Sequence, residues 1–405
     1  IETIMSTPVA TIEAHDVCFD AILSMMTRQI HHLAVTRQGR VEGMITSHDI
    51  MVLQGKSPMA IFREIAAQDT IEGLYPLSAK APQVMRTLLE EGARAGHITR
   101  MVSVLNDFIL EKLLTLLLKE MGPPPAPFCW LLMGSEGRRE QTFATDQDNA
   151  LVYKDSQDDI LDRAAAYYFQ AFTEKAIAHL VKCGFPPCPG DIMASNPKWR
   201  QPYSVWRNYF ERWISVPEPE EVLNATIFFD FRAGFGDKAF AEELRAHVSA
   251  HAPKQDVFLR HLAADCLATR PPLSFFKSFI VMKNGEHKNR LDIKKRGLTP
   301  FVDFARVLAL KHGLSETNTL GRLELLGKGG HIPEELAREA HEAYEFLLQL
   351  RVVHQLGLVE EGKEPNNYIA PDRLSELEKQ TLKEAFGVIN RLQGFLRDMF
   401  RLNIA

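Results

Sequence analysis

The spacing of apolar residues changes character four times along this chain, and each change predicts a different kind of structure. Residues 9–12, 32–36 and 40–46 are short β-rich runs, and 18–28 and 47–54 carry helical periodicity, which predicts strand, helix, strand, strand, helix over 1–57. From 59 to 121 the pattern is helical throughout. Ile98, Met101, Val102, Leu105, Phe108, Ile109, Leu113, Leu116 and Leu117 recur at intervals of three and four, so one long amphipathic helix should bury a continuous stripe. The run Gly122-Pro123-Pro124-Pro125-Ala126-Pro127 then breaks that helix and forms a stiff spacer. Strands alternate with helices from 128 to about 255, and from 256 to 405 the chain becomes almost wholly helical, with long stripes at Leu336 to Leu356 and Leu374 to Phe400. The expected fold class is therefore multidomain α/β plus α, divided at 1–57, 58–127, 128–255 and 256–405.

The densest chemistry lies at the start of the α/β part. The apolar run Phe128 to Met133 predicts a buried strand that stops at Gly134-Ser135-Glu136-Gly137-Arg138-Arg139-Glu140. Gly134 lets backbone N–H groups approach a ligand, Ser135 adds a hydroxyl, and a short helix beginning near Glu136 would aim its unpaired N–H groups at the same spot. Thr145-Asp146-Gln147-Asp148 follows at the head of a second apolar run. Residues two apart on a strand share a face, so Asp146 and Asp148 would repel one another without a cation, and Mg²⁺ with its demand for hard oxygen ligands resolves the conflict. A third carboxylate normally completes such a clamp. Asp230 is the candidate, an acid in the apolar stretch Ile227 to Arg232, taken as a strand on which Arg232 shares its face. Arg138 has two readings, a phosphate contact or a salt bridge to Glu140 or Glu136.

At these residues the chain resembles the nucleotidyltransferase superfamily that includes DNA polymerase beta. More closely, Gly-Ser-x-Gly-Arg-x-Glu followed by Thr-Asp-x-Asp-Asn is similar to the catalytic domain of the PII-protein uridylyltransferases and of their relatives that sit behind CBS domains. The resemblance implies a polymerase-beta-like nucleotidyltransferase α/β domain and a C-terminal helical substrate-binding domain. Gly134 and Ser135 would hold the triphosphate, and Asp146, Asp148 and Asp230 the metals. Asp230 would also help deprotonate the acceptor hydroxyl. Leu291 to Pro300 resembles the family's helical domain, with Lys294 and Arg306 as candidates for the cleft wall. The expected reaction is Mg²⁺-dependent transfer of a nucleoside monophosphate from an NTP to a protein hydroxyl, and the alternative is a nucleotide-sensing regulator without catalysis.

Residues 4–9 and 43–50 are similar to one CBS motif, in which the family's adenosine ligand would contact Thr46 and Asp49. Helix capping by the same two residues needs no ligand. A CBS site takes two motifs, so the second lies upstream or in another copy of the chain, which makes a homodimer the expected assembly. The chain starts at Ile1, inside this motif, as a fragment of a longer protein would.

Composition narrows the options further. With 405 residues, 45% hydrophobic and 24% charged, the chain has ordinary globular content. Its net charge of −5 gives no broad basic field for nucleic acid. The local basic run through Lys283, Lys288, Arg290, Lys294, Lys295 and Arg296 suits a solvated face or nucleotide phosphates. Scattered cysteines, of which only Cys183 and Cys188 lie close, fit free thiols in a reducing cytosol, and no apolar run has the roughly 20 residues of a membrane span. A Gly-x-Ser-x-Gly elbow, a Walker A loop, zinc spacings and a His-Asp phosphohydrolase domain are all missing. Asp191 and Asn196 are further candidates for the cleft, and Trp199, Trp206 and Trp213, seven apart, are placed in the core rather than against a base.

Overall fold

The computed structural model describes residues 7–28, 30–47, 49–50, 59–143, 146–215, 226–274 and 278–402. A small sheet opens the chain, with β1 (Thr11–Glu13) parallel to β2 (His32–Arg37) and β2 antiparallel to β3 (Arg40–Thr46). Helix α1 (Cys18–Thr27) lies between β1 and β2. The first strand falls one or two residues later than expected, and most of the helix expected over 47–54 lies outside the described residues. The region 59–121 is three helices rather than continuous helix: α2 (Met59–Ala66), α3 (Ala81–Glu90) and α4 (Ala95–Met121). Gly122, at φ +82°, ends α4, and the prolines that follow cannot continue it.

A second sheet has the order β6-β5-β4-β7, formed by β4 (Phe128–Leu132), β5 (Asn149–Tyr153), β6 (Arg200–Pro202) and β7 (Arg232–Gly236). β4 is antiparallel to both β5 and β7, while β5 and β6 run parallel. Every residue of β4 and β5 is buried because the sheet is a wall between two cores. Cys129, Leu131, Ala150 and Val152 face the core shared with the C-terminal helices. Phe128, Trp130, Leu132, Leu151 and Tyr153 face the core built on α4. Alternate residues of a strand point to opposite faces, so two buried faces demand an uninterrupted apolar run, which is the pattern at 128–133.

Helix α5 (Gly134–Gly137) is a single turn after β4, and α6 (Asp159–Lys182) covers the α4 side of the sheet. Helix α7 (Tyr203–Ser215) carries Trp206 and Trp213 into an aromatic cluster with Trp199 and Phe228, whose ring lies 4.3 Å from that of Trp199. Those rings are core. Two further helices, α8 (Ala239–His251) and α9 (Asp256–Ala268), lead into the C-terminal bundle of α10 (Thr299–Lys311), α11 (Thr319–Lys328), α12 (Glu334–Glu360) and α13 (Glu376–Phe400). A two-strand ribbon, β8 (Leu291–Asp292) with β9 (Tyr368–Ile369), and a π turn at Lys294–Leu298 bring the chain onto α10. None of the described helices is long and apolar enough to cross a membrane.

Close backbone packing makes one glycine indispensable. A Cβ on Gly137 would stand 1.9 Å from the carbonyl oxygen of Asp230, and backbone cannot yield as a side chain can. Gly137→Ala is therefore expected to lower stability by about 1–3 kcal/mol or more. In α13, where a Cβ on Gly394 meets nothing within 4 Å, Gly394→Ala should be neutral or stabilising by up to about 1 kcal/mol. Urea melts of the two variants check both signs.

Candidate nucleotidyl-transfer site

At the end of β4, Met133 is extended and Gly134 turns into the left-handed region at φ +57°. An added Cβ there would press to 3.0 Å on both Asp148 Oδ2 and Ile227 Cγ1, so glycine is what lets an acidic side chain lie against the turn. The N–H groups of Gly137, Arg138 and Glu140 close back on the carbonyls of Met133, Gly134 and Ser135. Gly134 and Ser135 line a cleft of about 220 Å³ between the sheet and the helical bundle.

The second strip of chain is registered by its backbone. The Met133 N–H donates to the Asp148 carbonyl, the Gln147 N–H to Pro186, and the Asn149 N–H to Ile192. Gln147 also bridges Pro187, so the strand path of β5 extends backward through the acidic pair, although Asp146 and Asp148 precede β5 itself. Ligand atoms of Asp146, Asp148 and Cys188 all lie within 4.8 Å of one another. Burial, and then the neighbouring Asp146, pushes the Asp148 carboxyl up to about 6. Burial pushes the Cys188 thiol up to about 11, and the thiol hydrogen-bonds the Asp148 carboxylate. Two carboxylates beside a protonated thiol suit a hard divalent cation such as Mg²⁺, which Asp146 and Asp148 would hold.

Asp230 departs from the expectation. The stretch around it is not a strand, because Thr226–Phe229 forms a 3-10 turn and β7 begins only at Arg232. Its carboxylate is fully buried and enclosed by guanidinium groups. Oδ2 receives Arg138 Nη1 at 2.8 Å and Arg306 Nη2 at 2.6 Å, and Oδ1 lies 2.7 Å from Arg322 Nη1. Burial alone would raise this carboxyl, but Arg306, Arg322 and Arg138 outweigh it and hold the group well below the usual carboxylate range. It is not in the acidic group with Asp146 and Asp148, and its oxygens are engaged. Arg232, expected beside it, instead pairs with Asp107 at 2.7 Å and donates to the Glu136 carbonyl at 3.0 Å.

The remaining candidates divide between cleft and surface. Arg138 forms the expected salt bridge to Glu140, pairs with Asp230 as well, and lines the cleft. Lys294 and Arg306 stand in the opposite wall. Arg351 joins them; burial pulls its guanidinium down to about 10 and lowers the Lys294 ammonium too, with Arg351 adding to the latter. Neither Lys294 nor Arg351 forms an ion pair among the described residues. Asp191 is exposed and Asn196 half-buried, and they bond each other at 2.9 Å outside the cleft. Thr46 and Asp49 cap reciprocally, with the Thr46 N–H and hydroxyl both donating to Asp49 Oδ2 and the Asp49 N–H donating to Thr46 Oγ1. Cys188, Arg322 and Arg351 escaped the sequence reading. A cysteine in a Pro-Pro-Cys-Pro loop and arginines on helix faces carry no local mark of their partners.

The raised Asp148 carboxyl gives a signed prediction. Its folded value lies above the unfolded one, so its ionisation costs the fold stability, and that cost sets in as pH rises from about 4 through about 6. Asp148→Asn should raise the melting temperature of the metal-free protein at pH 8 relative to pH 5, and Mg²⁺ should stabilise the wild type more at pH 8 than at pH 5; scanning calorimetry reads both. Asp230→Asn leaves buried guanidinium groups unpaired and should cost about 3–5 kcal/mol in a urea melt. That contribution is complete above the ordinary carboxylate range and is lost as pH falls below about 4.

Comparison with known families agrees with this layout. A family model described as "Putative nucleotidyltransferase DUF294" matches residues 79–220, and one described as "Putative nucleotidyltransferase substrate binding domain" matches 256–400. A CBS domain model matches residues 1–55. No curated protein matches at a significant level. With the acidic pair beside its glycine-serine turn, the helical wall opposite and all three models in order, the chain belongs to the CBS-containing nucleotidyltransferase family that these models describe.

Proposed function

We propose that this chain transfers a nucleoside monophosphate from an NTP to a protein hydroxyl, as the PII uridylyltransferases do, in the cleft between the sheet and the C-terminal helices. The observation that carries the reading is the placement of Asp148 against the Gly134–Ser135 turn, with Asp146 beside it and Lys294 and Arg351 across the cleft. A triphosphate supplies the anion that those two cations lack. The turn orients the phosphates through backbone N–H groups and the Ser135 hydroxyl. Arg138 and Arg306 are held rigid by Asp230, which fits them for positioning rather than for large movement. Mg²⁺ bound by Asp146 and Asp148 would supply charge neutralisation on the phosphate oxygens.

Control through the N-terminal part follows the contacts of α4. His97 lies 3.9 Å from Asp20 of α1, Asp107 holds Arg232, and Arg232 in turn holds the carbonyl of Glu136 in the catalytic turn. In this reading an adenine nucleotide at a complete CBS pair, in a homodimer in the cytosol, acts on the turn through that helix. Binding at Thr46 and Asp49 would have to replace their mutual caps.

The test supplies purified protein with α-labelled NTPs, Mg²⁺ and cell lysate. A labelled protein band is expected, and Asp146→Asn or Asp148→Asn should lower labelling by at least about 10²-fold while the melting transition persists. Nucleotide binding with no label in any fraction would favour a sensor without catalysis. Label confined to RNA or small molecules would change the acceptor class.

A further inference from the structure

Among the described residues, three carboxylates line the cleft: Glu140, Asp148 and Asp303. Glu140 is saturated, taking Arg138 Nε at 2.8 Å and the Tyr344 hydroxyl at 2.9 Å on one oxygen, and the Thr319 N–H at 2.6 Å on the other. Asp148 belongs to the acidic pair. Asp303, in the second turn of α10, differs from both. Arg306 Nη1 donates to its Oδ1 at 2.6 Å, nothing among the described residues donates to its Oδ2, and its side chain is 15% exposed. It therefore lines the cleft from the helical wall with one oxygen clamped and the other without a donor among the described residues. Asp230, nominated from sequence to take the acceptor's proton, has no such oxygen.

We propose that Asp303 is the general base of this site, receiving the proton of the acceptor hydroxyl on Oδ2; the inference rests on the nucleotidyl-transfer reading above. As the acceptor O–H bond breaks, its oxygen forms a bond to the α-phosphorus of the NTP. The bond from that phosphorus to the α,β-bridging oxygen breaks, its electron pair leaves with pyrophosphate, and the proton on Asp303 passes to solvent. Arg306 positions Asp303 by its hold on Oδ1. The charged and titratable groups facing Asp303 are Arg306 on its own helix, Arg138 and Asp230 from the sheet domain, and Asp265 and Cys266 from α9. Burial raises the Asp303 carboxyl, and the pull of Arg306 and Arg138 does not cancel that rise. A carboxylate moved toward working pH is a better proton acceptor.

The experiment uses the full chain, a mixture of α-labelled NTPs, lysate protein as the acceptor pool and saturating Mg²⁺, which keeps Asp148 ionised. Asp303→Asn retains a carbonyl oxygen for Arg306. Transfer should fall about 10²–10⁴-fold, Mn²⁺ affinity should stay within about twofold of wild type, and the acidic limb of the wild-type rate profile should vanish. Formate should restore part of the rate of Asp303→Ala. Should either variant fail to fold, the wild-type profile still decides: an acidic limb above the ordinary carboxylate range supports the base, and a rate that stays flat down into that ordinary range overturns it. Unchanged transfer in Asp303→Asn, an unaltered limb, or a matching loss of Mn²⁺ affinity, which would make Asp303 a metal ligand, also overturns it. A wild type that labels nothing refutes the nucleotidyl-transfer reading itself, whereas an active wild type matched by Asp303→Asn refutes only the base.

Discussion

A carboxylate without access to water, held by three guanidinium groups, joins the two halves of this protein. Asp230 and Arg138 come from the sheet domain, and Arg306 and Arg322 come from α10 and α11 of the bundle. Removing that many charges from water is unfavourable unless each is answered, and here the answers are shared. Arg138 also serves Glu140, and Glu140 reaches into the bundle through Thr319 and Tyr344. The Gly137 backbone packs directly on the Asp230 carbonyl, so the network also fixes the phosphate-sized turn. A cleft whose two walls are bolted by buried ion pairs keeps its spacing, and spacing is what phosphoryl chemistry asks of a protein.

The sheet converts this connection into a longer one. Because β4 and β5 contribute to a core on each face, the glycine-serine turn stands between the bundle and α4. Helix α4 reaches the turn through Asp107 and Arg232, and at its start the Gly96 N–H donates to Glu345 of α12 at 2.8 Å. One rigid helix therefore touches the CBS part, the turn and the bundle. A shift at its N-terminal end has a physical route to the site.

What the sequence disclosed follows the range of the interactions involved. The strand Phe128–Leu132, the turn at Gly134, the proximity of Asp146 to Asp148 and the long helices α4, α12 and α13 are local consequences of period, glycine and side-chain alternation. The misreading of 227–232 has the same root. Phe228 and Phe229 are buried in the aromatic cluster by a 3-10 turn, and an apolar run of that length does not distinguish such a turn from a strand. The role of Asp230 could not be read because its partners are 76 to 92 residues away, two of them, Arg306 and Arg322, on helices whose surfaces look ordinary. Cys188 was hidden for the opposite reason, since it reaches Asp148 through backbone pairing of an irregular loop with Gln147 and Asn149.

In the proposed function divalent cations bind Asp146 and Asp148 while Asp230 serves the arginines. A crystal soaked with Mn²⁺ and an NTP analogue blocked at the α,β bridge tests it by anomalous scattering. Manganese bonded to both Asp146 and Asp148 is expected, with Asp230 still bound by Arg138, Arg306 and Arg322. Manganese bonded to Asp230 with those guanidinium groups displaced, or no manganese at the acidic pair, would contradict it.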